Sequence, residues 1–233
     1  MAAAVVHVPG FVVLSGGPIG AAAVRQLLRA VEAGRLVTAR IVVVDRDPAC
    51  EASRFRDPRV ELAAADWSEW LAAHLDGLGP AAHLVPYHWA PHVLVEWLAG
   101  QIRQAGGRAI RGGAVPSVGT PVDRATREGD RALSYATWVC PPTCIEPRLC
   151  PHTRGPKDWS LAADLSRPTV VAGVEDRVVF RCLHLVWGVG TVPVREILEA
   201  RDHVLAGLRG GPRRYVVATS SHCHALATTL EVA

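Results

Sequence analysis

Runs of apolar residues alternate with amphipathic stretches along the first hundred residues of the chain. "GFVVLSGG" and "ARIVVVDRD" are short β-branched runs and predict buried strands, whereas "IGAAAVRQLLRAVEAG" has apolar residues at helical spacing and ends at a glycine. "RVELAAADW" and "AAHLVPYHW" predict two further strands, and "PHVLVEWLAGQIRQAGG" predicts a helix that begins at Pro91. Apolar strands without polar alternation are typical of a parallel sheet that is covered on both faces.

The pattern changes at Arg108, where a stretch rich in glycine, proline and charge predicts a loop or lid up to Arg131. A cysteine-rich stretch follows, and after it "TVVAGVEDRVVFRCLHLVWGVG", "VPVREILEARDHVLAGL" and "RRYVVATSSHCHAL" predict strands, a helix and a final strand. We therefore expect an α/β fold in which residues 1–233 form a single domain around one doubly wound, mostly parallel sheet. Residues 108–166 would be an irregular insertion rich in Gly, Pro and Cys.

Composition narrows the classes of partner. Hydrophobic residues make up 49% of the chain, charged residues 20%, and the formal net charge is +3. The positive charge is almost all arginine, scattered along the chain, and Lys157 is the sole lysine. Because a nucleic-acid-binding surface needs clustered basic residues with interleaved aromatics, we expect no nucleic-acid partner.

The N-terminal stretch and the number of cysteines indicate the cellular compartment to expect. "MAAAVVHVPGFVVLSGG" has no basic segment and is interrupted by Pro9 and Gly10, so it predicts a strand rather than a signal peptide. No apolar run approaches the roughly 18 residues of a membrane helix. We therefore expect a cytoplasmic protein without a membrane partner, in which cysteines serve as ligands, nucleophiles or core residues.

The turn after the first predicted strand is "SGGPIG", Ser15 to Gly20, and Asp45 closes the second strand. With these features, residues 11–66 resemble the Rossmann-type nucleotide-binding domains of the potassium-uptake-regulator and sirohaem-synthase kind. The resemblance implies a Rossmann-like sheet that binds NAD(P), with Gly17 and Gly20 letting the pyrophosphate approach the helix and Asp45 binding the ribose. Ser15 stands where the first glycine of that pattern is expected. Two alternatives stay open: the same turn could bind S-adenosylmethionine, or the fold could bind no nucleotide.

The stretch "CPPTCIEPRLCPHTRGPKDWSL" suggests a metal centre. Cys140, Cys144 and Cys150 are spaced C-x3-C-x5-C, and thiolates are ligands of soft metals. Three close cysteines with a distant fourth ligand favour an iron–sulfur cluster, with zinc as the alternative, and the absence of any metal stays open. Cys223, in "TSSHCHAL" at the end of the final predicted strand, is the candidate fourth ligand.

Four residues are candidates for catalytic roles. His222 and His224 flank Cys223 and could act as acid/base groups or replace it as a ligand. His92 lies near a predicted helix N-terminus, where the helix dipole favours the neutral imidazole and suits a base. Lys157 offers a compact ammonium that could bind an anionic substrate or stabilise a reduced cluster, or simply face solvent.

These features together predict an iron–sulfur, nucleotide-binding protein that performs redox or Lewis-acid chemistry on a small polar substrate. Such a protein would use an electron-transfer partner, and a homodimer is compatible with its apolar "LHLVWGVG" strand. A non-enzymatic metal- or redox-sensing protein and an S-adenosylmethionine-dependent methyltransferase with structural zinc are the alternatives. The sequence leaves open whether the chain is an enzyme, although an oxidoreductase is favoured.

Overall fold

The computed structural model describes residues 4–87, 92–113, 115–141, 144–167, 174 and 176–233. The α-helices in this part are α1 (Pro18–Glu32), α2 (Trp67–His74), α3 (Val93–Gln104), α4 (Leu161–Ser166) and α5 (Val194–Gly207). The strands are β1 (Val6–His7), β2 (Gly10–Leu14), β3 (Leu36–Val37), β4 (Arg40–Asp45), β5 (Val60–Ala64), β6 (His83–Val85), β7 (Ala109–Arg111), β8 (Val122–Ala125), β9 (Arg131–Ser134), β10 (Asp176–Arg181), β11 (Leu183–Val186), β12 (Val189–Pro193), β13 (Arg213–Ser220) and β14 (His224–Val232).

The chain divides into two compact units. The first comprises Met1–Tyr87, Pro141–Pro147 and Leu183–Arg195. The second comprises His88–Cys140, Arg148–Cys182 and Glu196–Ala233. Each unit has its own six-stranded sheet, and the first also has a two-stranded parallel pair, β1–β3.

The first unit's sheet has the order β11-β12-β6-β2-β4-β5. β6, β2, β4 and β5 run parallel, whereas β12 pairs antiparallel with β6 and β11 pairs antiparallel with β12. Trp187 and Gly188 connect β11 to β12 with φ of 43° and 78°. Two consecutive residues with positive φ match the tight turns of antiparallel hairpins, so this short loop cannot make a parallel crossover.

Helix α1 covers one face of that sheet. Val24 and Leu27 are fully buried and belong to the same apolar cluster as Phe11 and Ile41 of the sheet. Gly20 lies close to the loop that precedes the helix, because a Cβ atom at this position would stand 1.7 Å from the carbonyl oxygen of Ser15. This close approach fixes the start of α1 against the end of β2.

The second unit's sheet is centred on the β13–β14 hairpin. Its order is β10-β13-β14-β9-β8, with β7 also pairing with β14, and only β10 and β13 are parallel. Helix α4 lies on this sheet, where Leu161 and Leu165 pack with Leu133, Ala218 and Ala227. Helix α3, with its many buried residues, also packs against β7, β13 and β14 of this mainly antiparallel sheet.

The predicted single doubly wound, mostly parallel sheet is wrong. Both six-stranded sheets mix parallel and antiparallel pairs. The error arises from "RRYVVATSSHCHALATTLEV", in which one predicted strand and turn are two paired strands, β13 and β14. Apolar β-branched runs are buried in parallel and antiparallel sheets alike, so the pattern alone does not give strand direction.

Individual elements agree better with the sequence pattern. Helices α1, α3 and α5 and strands β2, β4, β5 and β6 lie where they were predicted, although α3 begins at Val93 and its predicted start, Pro91, lies outside the described residues. Residues 108–131, predicted as a loop or lid, contain β7 and β8 and the start of β9. The single domain over residues 1–233, with 108–166 as its insertion, stays a prediction.

Helix length bears on the expected absence of a membrane partner. Within the described ranges, no helix is both long and apolar enough to cross a bilayer.

The start of α1 provides a stability test. We expect Gly20→Ala to lower the free energy of unfolding by more than about 2 kcal/mol, because the new methyl group would overlap the Ser15 carbonyl oxygen. Gly77→Ala is the matched control, since in the described part of the chain no atom lies within 4 Å of an added Cβ there. Urea unfolding of both variants measures the difference, and equal stabilities would show that the close approach is wrong.

Candidate functional site

The four cysteines predicted to bind a metal are placed in different surroundings. Cys144 belongs to the first unit, and its backbone N–H donates to the carbonyl of Pro141. Cys140, Cys150 and Cys223 belong to the second unit, where Cys150 and Cys223 are buried. All of them are free thiols.

The prediction of a metal-binding, iron–sulfur redox protein is wrong. Among the residues that the structure describes, no three His, Cys, Asp or Glu side chains form a group that could hold a metal ion, and all four cysteines lie in this part. The Cys223 sulfur instead accepts a hydrogen bond from the Trp159 indole at 3.4 Å. The spacing of the cysteines in the sequence predicted a metal centre, but in the described part of the chain the fold does not bring them together as a metal-binding group.

Cys150 lies in a short hairpin-like loop. Leu149 and Pro156 form an antiparallel bridge, and the Cys150 N–H donates to the Gly155 carbonyl at 2.9 Å. The Arg154 N–H donates back to the Cys150 carbonyl at 2.8 Å, with Arg154 at a φ of 58°. The loop therefore closes on itself around the cysteine.

This closure stabilises the thiolate form of Cys150. The pKa of its thiol is lowered, first by a hydrogen bond from the backbone N–H of Thr153. Burial opposes this shift, and the N–H of His152, the Thr153 hydroxyl and the positive charge of Lys157 reinforce it. Donors to sulfur and a nearby cation favour the charged form, which is the nucleophilic form of cysteine.

Lys157 follows the same loop. Its backbone N–H donates to the Arg148 carbonyl at 2.9 Å, which completes the pairing of the loop's two arms. Its Nζ atom is shielded from solvent and makes no hydrogen bond to any residue that the structure describes. The alternative in which Lys157 is a solvated surface side chain does not fit the burial of its Nζ atom.

Aromatic side chains join the loop to the rest of the second unit. The ring of His152 stacks on Trp138 with centroids 4.5 Å apart. Trp159, which bonds Cys223, lies with its ring 6.1 Å from that of Tyr135. The Tyr135 N–H donates to the Cys223 carbonyl at 3.0 Å, so the loop, the end of β9 and the β13–β14 turn are fastened together.

The two predicted acid/base histidines flank Cys223 in the β13–β14 turn. The His222 carbonyl accepts the Leu161 N–H at 3.0 Å, next to the start of α4. The His224 Nδ1 atom lies 3.0 Å from the Ser134 hydroxyl, which donates to the Ala136 carbonyl. These contacts position the turn.

His92 lies in a different part of the second unit, at the N-terminus of α3. It is 3% exposed, and its Nε2 atom lies 2.7 Å from the Thr219 hydroxyl. Its backbone N–H donates to Asp130, a fully buried carboxylate that also pairs with Arg111, and Arg111 pairs in turn with Glu96. Burial, followed by the charge of Arg111, lowers the pKa of His92 to about 3. The imidazole is therefore neutral, and the cause is burial and the charge of Arg111, not the helix dipole on which the prediction rested.

The turn predicted to bind a nucleotide belongs to the first unit. Ser15 has a φ of 89°, and its hydroxyl accepts the Gly17 N–H at 3.2 Å. The Asp45 carboxylate accepts the backbone N–H groups of Gly16, at 2.6 Å, and Asp47, at 2.9 Å. The carboxylate that was expected to bind a ribose is thus engaged in holding the turn itself.

Two surface cavities lie away from the predicted residues. One, of about 270 Å³, is lined by Arg40, Glu61, Trp70 and His74 in the first unit. The other, of about 240 Å³, is lined by Arg108, Arg213, Arg214 and Glu231 in the second. Neither is lined by a predicted catalytic, cofactor-binding or metal-binding residue.

Comparison with protein families matches residues 93–233 to AF_1314_C, described as "Uncharacterized protein, C-terminal domain". The chain belongs to this family. The match contains Cys150, Lys157 and the β13–β14 turn, and it excludes the Ser15–Gly20 turn. No curated protein and no solved structure matches the chain.

The resemblance of residues 11–66 to Rossmann-type nucleotide-binding domains is therefore wrong. No family of that type matches, and the sheet that contains the turn is mixed. The expectation of NAD(P) loses its basis, since it came from that resemblance.

The structure also shows residues that the sequence reasoning missed. Thr153 supplies the main donor to Cys150, and Trp159 connects the loop to Cys223. The signal for Thr153 was the turn pattern "CPHTRGPK", whose Pro and Gly residues predict a tight turn after the cysteine. Asp130 and Arg111 gave no signal, because isolated charges in a Gly-rich stretch are typical of exposed loops.

The lowered pKa of His92 predicts a pH-dependent stability. Because an unfolded histidine has an ordinary pKa of 6.5 and the folded one about 3, the unfolded state binds more protons between these values. The contribution of His92 to stability is thus complete above pH 6.5 and is lost as the pH falls towards 3. We expect His92→Gln to remove up to about 1.4 kcal/mol per pH unit from the slope of stability against pH in this window.

The measurement is urea unfolding of wild type and variant at a series of pH values. His7→Gln, at an exposed position, is the control and should leave the slope unchanged. Parallel pH profiles for wild type and His92→Gln would contradict the burial of a neutral imidazole.

Proposed function

We propose that the second unit carries a nucleophilic thiolate, Cys150, that acts on a small polar substrate. Support comes from the closed loop around Cys150, in which the N–H groups of Thr153 and His152 and the Thr153 hydroxyl lower the pKa of the thiol. Together with the charge of Lys157, these donors favour the thiolate at a lower pH than an ordinary cysteine allows. Cysteine nucleophiles in enzymes are activated by such electropositive surroundings.

The proposed reaction is a substitution at an electrophilic carbon. The Cys150 sulfur forms a bond to that carbon while the bond to the leaving group breaks, and the leaving group departs with the bonding electron pair. The oxygen of a water molecule then replaces the sulfur on the carbon, and the proton that this water gives up is taken by the leaving group. The thiolate is restored, and water is the one co-reactant.

Access to the sulfur requires movement of the loop. Cys150 is 5% exposed, whereas residues 151–154, which form the turn after it, are exposed. The stack of His152 on Trp138 and the hydrogen bonds of the turn hold these residues in place. We expect displacement of residues 151–154 to admit the substrate.

Alkylation by iodoacetamide tests the thiolate directly. We expect the rate at Cys150, followed by peptide mass mapping, to rise with a midpoint below the ordinary cysteine pKa of about 8.5. Cys50, which packs against Gly16 in the first unit, serves as the reference thiol in the same molecules.

Three variants separate the causes of the lowered pKa. Lys157→Met should move the Cys150 midpoint upward because it removes the nearby positive charge, and Lys157→Arg should keep the midpoint close to that of the wild type. Thr153→Val, which removes one donor to the sulfur, should also raise the midpoint. A wild-type midpoint at the ordinary cysteine value would refute the proposed function.

A further inference from the structure

The sole lysine of the chain, Lys157, lies in the same loop as Cys150. Lys157 Nζ is shielded from solvent, and no hydrogen-bond acceptor lies within reach of it among the described residues. Removing an ammonium group from water without hydrogen-bond partners is costly, so such a group is expected to have a partner in the working state of the protein. The neighbouring thiolate offers opposite charge, but no hydrogen bond joins the two in the described structure.

The loop around Lys157 is electropositive. Between residues 148 and 158 it carries the basic side chains of Arg148, Arg154 and Lys157, against one acid, Asp158. Arg148 and Arg154 are exposed, whereas the Lys157 ammonium lies inside. The exposed arginines would attract an anion, and the buried ammonium would bind it.

We infer that the substrate of the Cys150 site carries a carboxylate, which accepts hydrogen bonds from Lys157. This inference rests on the proposed nucleophilic function of Cys150. Because no hydrogen bond joins Lys157 to the sulfur in the described structure, the donors of the ammonium stay open to the carboxylate of an incoming substrate. Once the sulfur is bonded to carbon it is neutral, and the carboxylate is then the counter-charge of the ammonium.

The charge of the site favours a carboxylate over a phosphate. Beside the thiolate and one ammonium, a carboxylate adds one negative charge, whereas a phosphate dianion adds two and would require a further buried cation. The other two basic side chains of the loop are exposed and remain solvated. A carboxylate also provides two oxygens for the three donors of the ammonium.

Two alkylating reagents that differ in charge test the inference. Iodoacetate carries a carboxylate and iodoacetamide a neutral amide of similar size, and each alkylates Cys150 by forming a sulfur–carbon bond and releasing iodide. We expect the ratio of the iodoacetate rate to the iodoacetamide rate at Cys150 to fall at least tenfold in Lys157→Met, with the ratio largely retained in Lys157→Arg. A ratio that is the same in wild type and Lys157→Met overturns the inference.

Protection of the wild-type protein provides a readout that does not depend on a variant's folding. Acetate should slow alkylation of Cys150 by iodoacetamide at concentrations at which inorganic phosphate does not. Equal protection by phosphate, or no protection by acetate, would overturn the assignment of a carboxylate. An ordinary pH profile with iodoacetamide would instead refute the proposed function itself, so the two failures are distinguishable.

Discussion

The second unit depends on the antiparallel ladder between β13 and β14. Eight residue pairs, from Arg213 with Val232 to Ser220 with Ala225, fix the register of these strands. The remaining strands of the sheet are added to this hairpin, β10 on one side and β9 and β7 on the other. A slip of one residue would reverse which side chains face α4, so the buried face specifies this register.

The ladder also determines where the candidate site is built. Its turn brings the Cys223 carbonyl to the Tyr135 N–H and the His222 carbonyl to the Leu161 N–H. Trp159, held between these contacts, donates to the Cys223 sulfur and immediately follows the loop that contains Cys150 and Lys157. The reactive loop is thus attached to the most regular part of the unit, although its own residues form only one isolated β-bridge.

Asp130 and Lys157, two buried polar groups of this unit, differ in whether their charged atoms have hydrogen-bond partners. Asp130 is fully buried but accepts hydrogen bonds from the His92 N–H and from Arg111, so its charge is compensated and its role is to hold α3 and β7 together. The ammonium of Lys157 is also shielded from solvent, yet it has no hydrogen bond to a described residue. A buried charge whose hydrogen bonds are satisfied explains stability, whereas a buried ammonium without hydrogen bonds, beside a thiol, points to a ligand.

Sequence reasoning succeeded where local pattern decides structure and failed where long-range pairing decides it. The apolar spacing of α1 and α3 predicted helices correctly, because helical periodicity is a local property. Strand direction in β11–β12 and β13–β14 depends on turn conformation and tertiary pairing, and the pattern did not contain it. Cys150 and Lys157 were singled out from residue type, and the cysteine spacing suggested a metal centre. The sequence pattern does not show the backbone N–H groups of His152 and Thr153 that lower the pKa of Cys150.

The central claim is that the pKa of the Cys150 thiol is lowered, and the ultraviolet absorbance of the thiolate measures this most directly. The measurement is a pH titration of wild type and Cys150→Ser, followed by the difference between their spectra. The account predicts that the thiolate absorbance missing from Cys150→Ser appears in the wild type with a midpoint below the ordinary cysteine pKa of about 8.5. A midpoint at or above that value would contradict it.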